Sequence, residues 1–194
     1  LSAGFIIDRA AEDGQHFSMQ KNRGAFYRTV LAVLACAAVA IATSALPSVA
    51  QQPADPHTWM TYANVRFQYT ICYPEDLMVP QGESENSDGQ KFLANDGGQL
   101  IVFGSNNALN EPLKNAFAAT ALRLAGTSGK VTYKLLKPDW FVVSGQNGPT
   151  VFYAKRLYSH GQFKSFELTY DGSAAAVYEP LIRRLAMCFA DLAH

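Results

Sequence analysis

Hydrolysis needs a nucleophile beside a base, and Ser144 followed by Gly145 is this sequence's nearest approach to a nucleophile elbow. Val142 stands where that motif requires its first glycine. The local alternation also predicts a strand followed by a hairpin, not the strand-to-helix turn that exposes such a serine. A base is no better placed. Beyond residue 50 the histidines are His57, near a proline-rich start, His160, in a predicted turn, and His194, the last residue. Histidines in exposed loops are not buried bases. For metals there is no His-x-x-x-His or Cys-x-x-Cys spacing. Ser84–Gly89 superficially resembles a calcium loop with Gly89 at its sixth position, but Ser84 at the first and Asn95 at the twelfth lack the required carboxylates. No catalytic residue, metal or cofactor is expected, and the balance leans away from an enzyme. A small hydrolase whose polar cluster is assembled only by folding is the alternative.

Aromatic residues are the richest feature left. Trp59, Tyr62, Tyr69, Tyr73, Trp140, Phe152, Tyr153, Tyr158, Phe166 and Tyr170 lie beyond residue 50, and most must be core. The adjacent pairs Trp140-Phe141 and Phe152-Tyr153 put one ring on each face of a strand. Any face left open by the helices would therefore show an aromatic groove for a peptide or a small apolar ligand. Trp140 and Tyr153 are the expected binding residues.

The compartment is written in the N-terminal third. Lys21, Arg23 and Arg28 precede an uncharged run ending in Ser48-Val49-Ala50, the layout of a secretory signal with small residues before the cut. Val30–Leu46 is at the lower edge of what spans a bilayer and is rich in alanine, so a retained membrane anchor is the weaker alternative. Val33-Leu34-Ala35-Cys36 is a poor lipid-attachment site, because apolar sequence rather than a polar tether follows the cysteine. Met19 begins a normal basic head. The expected division is 1–18 upstream extension, 19–50 signal peptide, 51–57 flexible mature start and 58–194 a single domain, periplasmic or secreted, with no membrane association after cleavage.

The mature segment would keep two cysteines, Cys72 and Cys188. Even parity in an oxidising compartment predicts one disulfide, with two separate buried thiols as the alternative. Residues 51–194 carry thirteen carboxylates against twelve basic side chains, in no block of like charge. Nucleic acid and anionic membrane surfaces both call for a basic patch, so neither is an expected partner. A protein or peptide of the bacterial envelope is.

The elements that must position these residues follow from hydrophobic period. Arg66–Cys72 alternates Phe67, Tyr69 and Ile71 with polar neighbours and reads as a strand, with Cys72 on its polar phase. Gly82–Gly89 reads as a loop. Gln90–Ala94 and Gln99–Ser105 flank Asn95-Asp-Gly-Gly98 as a hairpin. Between Asn110 and Gly126, Leu113, Phe117, Ala121 and Leu124 recur at helical spacing. Val131–Lys137, Trp140–Ser144, Val151–Tyr158 and Phe163–Tyr170 are separated by short turns, which forces a four-stranded antiparallel meander. Tyr178, Leu181, Ile182, Leu185, Cys188, Phe189 and Leu192 form one face of a predicted C-terminal helix. The fold class is α+β: an antiparallel sheet of about six to seven strands packed with two amphipathic helices.

Phe67-Gln-Tyr-Thr-Ile-Cys-Tyr-Pro-Glu-Asp76, Ser87-Asp-Gly-Gln-Lys-Phe92, the helix after them, Trp140-Phe-Val-Val-Ser-Gly145 and Phe152-Tyr153 together resemble small exported bacterial proteins of the PsbP-like superfamily. That superfamily includes the extrinsic photosystem II protein and a Ran-binding nuclear import factor, and the resemblance spans most of 58–192. It implies an accessory or partner-binding domain without catalysis. It implies no particular binding residue, because the quoted motifs are structural.

Overall fold

The structure, a computed structural model, describes residues 55–192. The expected upstream extension, signal peptide and first mature residues lie outside them, as does His194. Along the chain come β1 (Trp59–Asn64), β2 (Tyr69–Pro74), β3 (Val79–Glu83), β4 (Gly89–Leu93), β5 (Gln99–Asn106), α1 (Leu113–Ala125), β6 (Lys130–Leu136), β7 (Trp140–Asn147), β8 (Thr150–Ser159), β9 (Gln162–Asp171), α2 (Ala175–Cys188) and β10 (Ala190–Asp191). Neither helix is long and apolar enough to cross a membrane.

Seven strands pair in the order β3-β4-β5-β9-β8-β7-β6, and three more form a small sheet, β1-β2-β10. The predicted meander is β6 to β9. Its last hairpin turns at His160 and Gly161, with φ of 49° and 71°, the two positive values that a two-residue turn matching strand twist demands. β9 then pairs with β5 along its length, from Gln99↔Thr169 to Asn106↔Gln162, and so joins the meander to the β4–β5 hairpin.

Both faces of the large sheet are covered in part. On one side lie α2 and the small sheet, with Tyr69, Ile71, Phe92, Leu100, Phe166, Leu168, Tyr178, Leu181, Leu185 and Phe189 in a shared core. On the other lies α1, whose Ala116 and Ala125 pack with Phe141, Val143, Phe152 and Phe163. The predicted helix face of Leu113, Phe117, Ala121 and Leu124 packs around the same cluster.

Four local expectations change. Phe67 belongs to the turn between β1 and β2, not to a strand, yet it is buried. β1 and β3 were not legible as strands. β3, Val79-Pro-Gln-Gly-Glu83, is exposed throughout and carries an irregular register between Pro80 and Glu83, so no apolar alternation marks it. Part of the expected 82–89 loop is therefore strand. The C-terminal helix stops at Cys188, because Phe189 turns extended (φ −76°, ψ 104°) and inserts its ring against Tyr69 and Phe166. The next two residues, Ala190 and Asp191, pair with β2.

Gly98 shows how closely α2 seats on the sheet. A Cβ at this position would lie 1.9 Å from Tyr178 Oη, and that hydroxyl donates to Asp96 Oδ1 at 2.5 Å. The hydrogen bond from Tyr178 is the main cause holding the Asp96 carboxyl below its usual range. Gly98→Ala is expected to destabilise by about 1–3 kcal/mol through overpacking against a fully buried tyrosine. Urea unfolding reads it, and a loss under about 0.5 kcal/mol would show that the helix shifts freely here.

Candidate functional site

Pairing register fixes which side chains share a face. Trp140 stands opposite Leu157, Val142 opposite Lys155 and Ser144 opposite Tyr153. Trp140 and Tyr153 therefore lie on the same side of the sheet, the side of α2. Their sequence neighbours Phe141 and Phe152 are buried under α1 on the other side. Tyr133, opposite Ser144 on the edge strand β6, extends the same face and is half exposed.

Trp140 and Tyr153 are only partly buried, and Tyr153 packs at the margin of the α2-side core. Tyr153 stacks on Phe166 with ring centres 5.7 Å apart, and burial pushes its hydroxyl up to about 12, helped by Tyr133. Lys155 lies in the strand between Tyr153 and Leu157. Its Nζ is 5.7 Å from the centre of the Trp140 ring and 5.9 Å from that of Phe189. It donates to the Ala186 carbonyl in the last turn of α2 at 2.6 Å, where a cation also meets the negative end of the helix dipole. Burial holds the ammonium below its usual range. Among the described residues no carboxylate pairs with Lys155. On the edge strand β6 the exposed Lys130, opposite Gln146, lies on this face, whereas Lys134, opposite Val143, is exposed on the α1 side; Lys137, just beyond the strand, is exposed too. The surface is thus aromatic and cationic, suited to an apolar side chain next to a carboxylate.

Polar groups brought together by folding lie elsewhere. Lys164, completely buried, donates to Ser159 Oγ at 2.9 Å and is ion-paired with Asp191, to which Ser159 also hydrogen-bonds. A serine beside a lysine invites comparison with Ser-Lys nucleophiles. Here Lys164 donates to the hydroxyl rather than accepting its proton, and Asp191 occupies both. The cluster ties β10 to the β8–β9 hairpin. Sequence reasoning missed it, although one signal was present: Lys164 shares its strand face with Phe166, Leu168 and Tyr170, a cation in an apolar phase.

The residues weighed for chemistry stay apart. Ser144 is in mid-strand β7 and His160 is exposed in its turn. His57 bonds through Nδ1 to Asp76 at 2.8 Å and through its backbone N–H to Asp55, with no hydroxyl or thiol partner among the described residues. In the acidic turn Ser84 and Asn86 hydrogen-bond Asp88, and the Ser84 bond is the first cause of that carboxyl's lowered pKa. Among the described residues no group of three or more His, Cys, Asp or Glu side chains is placed to hold a metal ion.

Cys72 and Cys188 form a disulfide with Cα atoms 5.8 Å apart. The polar phase of Cys72 proves compatible with this because β2 is covered on both sides: Tyr69 and Ile71 enter the core, and Cys72, also buried, meets the end of α2.

No protein-family model matches the sequence, and no curated protein matches it. Among solved structures the chain is similar to cyanobacterial PsbP (CyanoP) from Synechocystis sp. PCC 6803, determined in solution, with a TM-score of 0.51 and 12% identity. The match covers 75% of this chain and 99% of that one. The fold is PsbP-like, an α+β arrangement of two helices on a seven-stranded antiparallel sheet with a small three-stranded sheet.

Proposed function

We propose that this chain is an exported, non-catalytic binding domain that recognises a protein or peptide partner through Trp140, Tyr153, Tyr133 and Lys155. The observation that carries the reading is Lys155: a partly desolvated ammonium near two aromatic rings, with no carboxylate paired to it among the described residues, on a face that α2 leaves partly open. A folding domain has little to gain from such a group, since burying a charge is costly unless it is paired. A partner that brings a carboxylate and an apolar side chain completes it. The chosen occupant is an extended, acidic segment of an envelope protein lying beside β6, whose lysines complement its charge. The disulfide and the secretory layout of residues 19–50 support the compartment.

The test begins with a photo-crosslinker at Tyr133 in the full chain, compared with one at the exposed Lys114 on α1. Affinity for the captured partner is then measured with purified variants. Trp140→Ala is expected to weaken binding by about thirtyfold, the scale of an aromatic hot spot. Lys155→Met is expected to weaken it about tenfold while leaving folding stability equal or up to about 1 kcal/mol higher, because a desolvated charge is removed. Binding of a small apolar ligand alone would be insensitive to Lys155→Met. Full affinity in Trp140→Ala would overturn the reading.

A further inference from the structure

A second site lies on the opposite face. Arg156 stands on β8 on the α1 side, directly across from Phe141 on β7 and Ser165 on β9. Its guanidinium is 5.4 Å from the ring centre of Phe163, 5.6 Å from Phe141 and 5.9 Å from Phe103. Nε donates to Ser165 Oγ at 2.8 Å. The terminal amino groups make no hydrogen bond within the described residues, and no buried side-chain nitrogen or oxygen there is left without a partner. Those amino groups are therefore not fully buried, and Arg156 lines a cleft of about 600 Å³ together with Asn107, Leu109, Glu111, Asn115 and Phe163 among others.

The cleft holds an opposite charge as well. Glu111, half-buried on the same wall, has no hydrogen bond or ion pair to its carboxylate within the described residues. Its backbone is fixed in place, since Asn107 Nδ2 donates to the Glu111 carbonyl at 3.0 Å and Asn107 Oδ1 accepts from the Glu111 N–H at 2.8 Å. The remaining nearby carboxylate, Glu167, is occupied by Arg123. Burial pushes the Arg156 guanidinium below its usual range, with Glu167 and then Glu111 opposing that and Arg123 adding to it. An arginine held rigid by three rings presents a planar fork suited to a carboxylate. A lone carboxylate nearby suits an ammonium.

We infer that this cleft binds a small zwitterion, of the class of a free α-amino acid, with its carboxylate on Arg156, its ammonium on Glu111 and its side chain against Phe163 and Leu109. The volume is within the range of small-ligand sites. The direct alternative, that Glu111 swings over to close on Arg156, predicts an occupied pair and no binding.

The experiment is an NMR titration of the mature chain, following the Arg156 Nε–H signal with three probes: L-leucine, 4-methylpentanoate, which lacks the amine, and L-leucinamide, which lacks the carboxylate. L-leucine is expected to bind about tenfold or more tightly than either analogue, the scale of losing one charge-assisted hydrogen-bonded contact. Arg156→Gln, followed through the backbone N–H signals of Asn107 and Glu111 in the same cleft, is expected to abolish L-leucine binding. Glu111→Gln separates the charges: it weakens L-leucine about tenfold and strengthens 4-methylpentanoate, opposite signs from one substitution. Glu111 is in a loop, so this arm holds even if the arginine variant fails to fold. Equal affinity for the three probes, no shift of the Arg156 signal at about 20 mM probe, or equal signs in Glu111→Gln would overturn the inference. It stands or falls apart from the Trp140 surface, whose variants should not alter it.

Discussion

Replacing Cys72 and Cys188 together by alanine is expected to lower stability by about 4–5 kcal/mol, the loop-entropy value for a bridge of this span. The bridge joins residues separated by 116 positions, so in the unfolded chain it closes most of the domain into one loop. In urea, with a slope of about 2 kcal/mol per molar, the unfolding midpoint should fall by roughly 2 M. Reductant added to the wild-type chain should reproduce the fall, and an intact mass two hydrogens higher should accompany it. A shift under about 0.5 M in both would mean that the unfolded reference retains its own structure or that the thiols are unpaired. The loss also has a local part. Cys188 ends α2 just before β10, so hydrogen exchange should quicken first in Ala190 and Asp191 and along the paired backbone of Tyr69 and Thr70.

Asp191→Ala should cost about 3–5 kcal/mol, more than a typical surface substitution by an order of magnitude. Lys164 is fully buried, and its partners are Asp191 and Ser159. Removing the carboxylate leaves an ammonium in the core with one neutral hydroxyl. The double variant Lys164→Met/Asp191→Leu removes both charges and is expected to lie within about 1 kcal/mol of wild type, or above it, because a buried ion pair barely repays its desolvation. The comparison distinguishes an uncompensated charge from lost packing. If the double variant is as unstable as the single one, the cluster's worth lies in its shape and in holding β10, not in pairing charges. Thermal unfolding of the three proteins at neutral pH decides it.

Hydrophobic period read most of the architecture. The meander, the β4–β5 hairpin and both helices are amphipathic or alternating over five residues or more, long enough for one face to show. β3 and β10 gave no such signal for opposite reasons. β3 is solvent-exposed at every position, and β10 is two residues long, defined by its partner rather than its composition. The helix end at Cys188 was overrun because Phe189 continues the apolar spacing of α2 while its ring serves another core position. Tertiary demand took a residue whose local pattern said helix.

The site residues divide in the same way. Trp140 and Tyr153 could be assigned a common face from alternation alone, because the turns on either side of β8 are short. Lys155 and Arg156 were present as an adjacent pair in a strand, one on each face, and both sit in phases otherwise occupied by apolar residues. That mismatch is the local sign of a buried charge. What alternation cannot supply is the far partner: Ala186 for Lys155 and Asp191 for Lys164. Each comes from packing between elements distant in the chain, and neither leaves a mark on neighbouring residues.

The small sheet has a consequence for the order in which the molecule can be made. β2, near the start of the described chain, finishes its pairing only when Ala190 and Asp191 arrive at the end. β5 likewise waits for β9. A polypeptide emerging from one end first can form α1, the β6–β7 hairpin and little else that is secure, since the entropy of closing such long loops must be met before their contacts form. Its early segments remain open, with Tyr69, Ile71 and Leu100 unprotected, until the last stretch is delivered. A chain of this design stays threadable for most of its synthesis and becomes cooperative in one late step, when the two extremities of the domain are laid side by side and the bond between sulfurs makes that arrangement permanent.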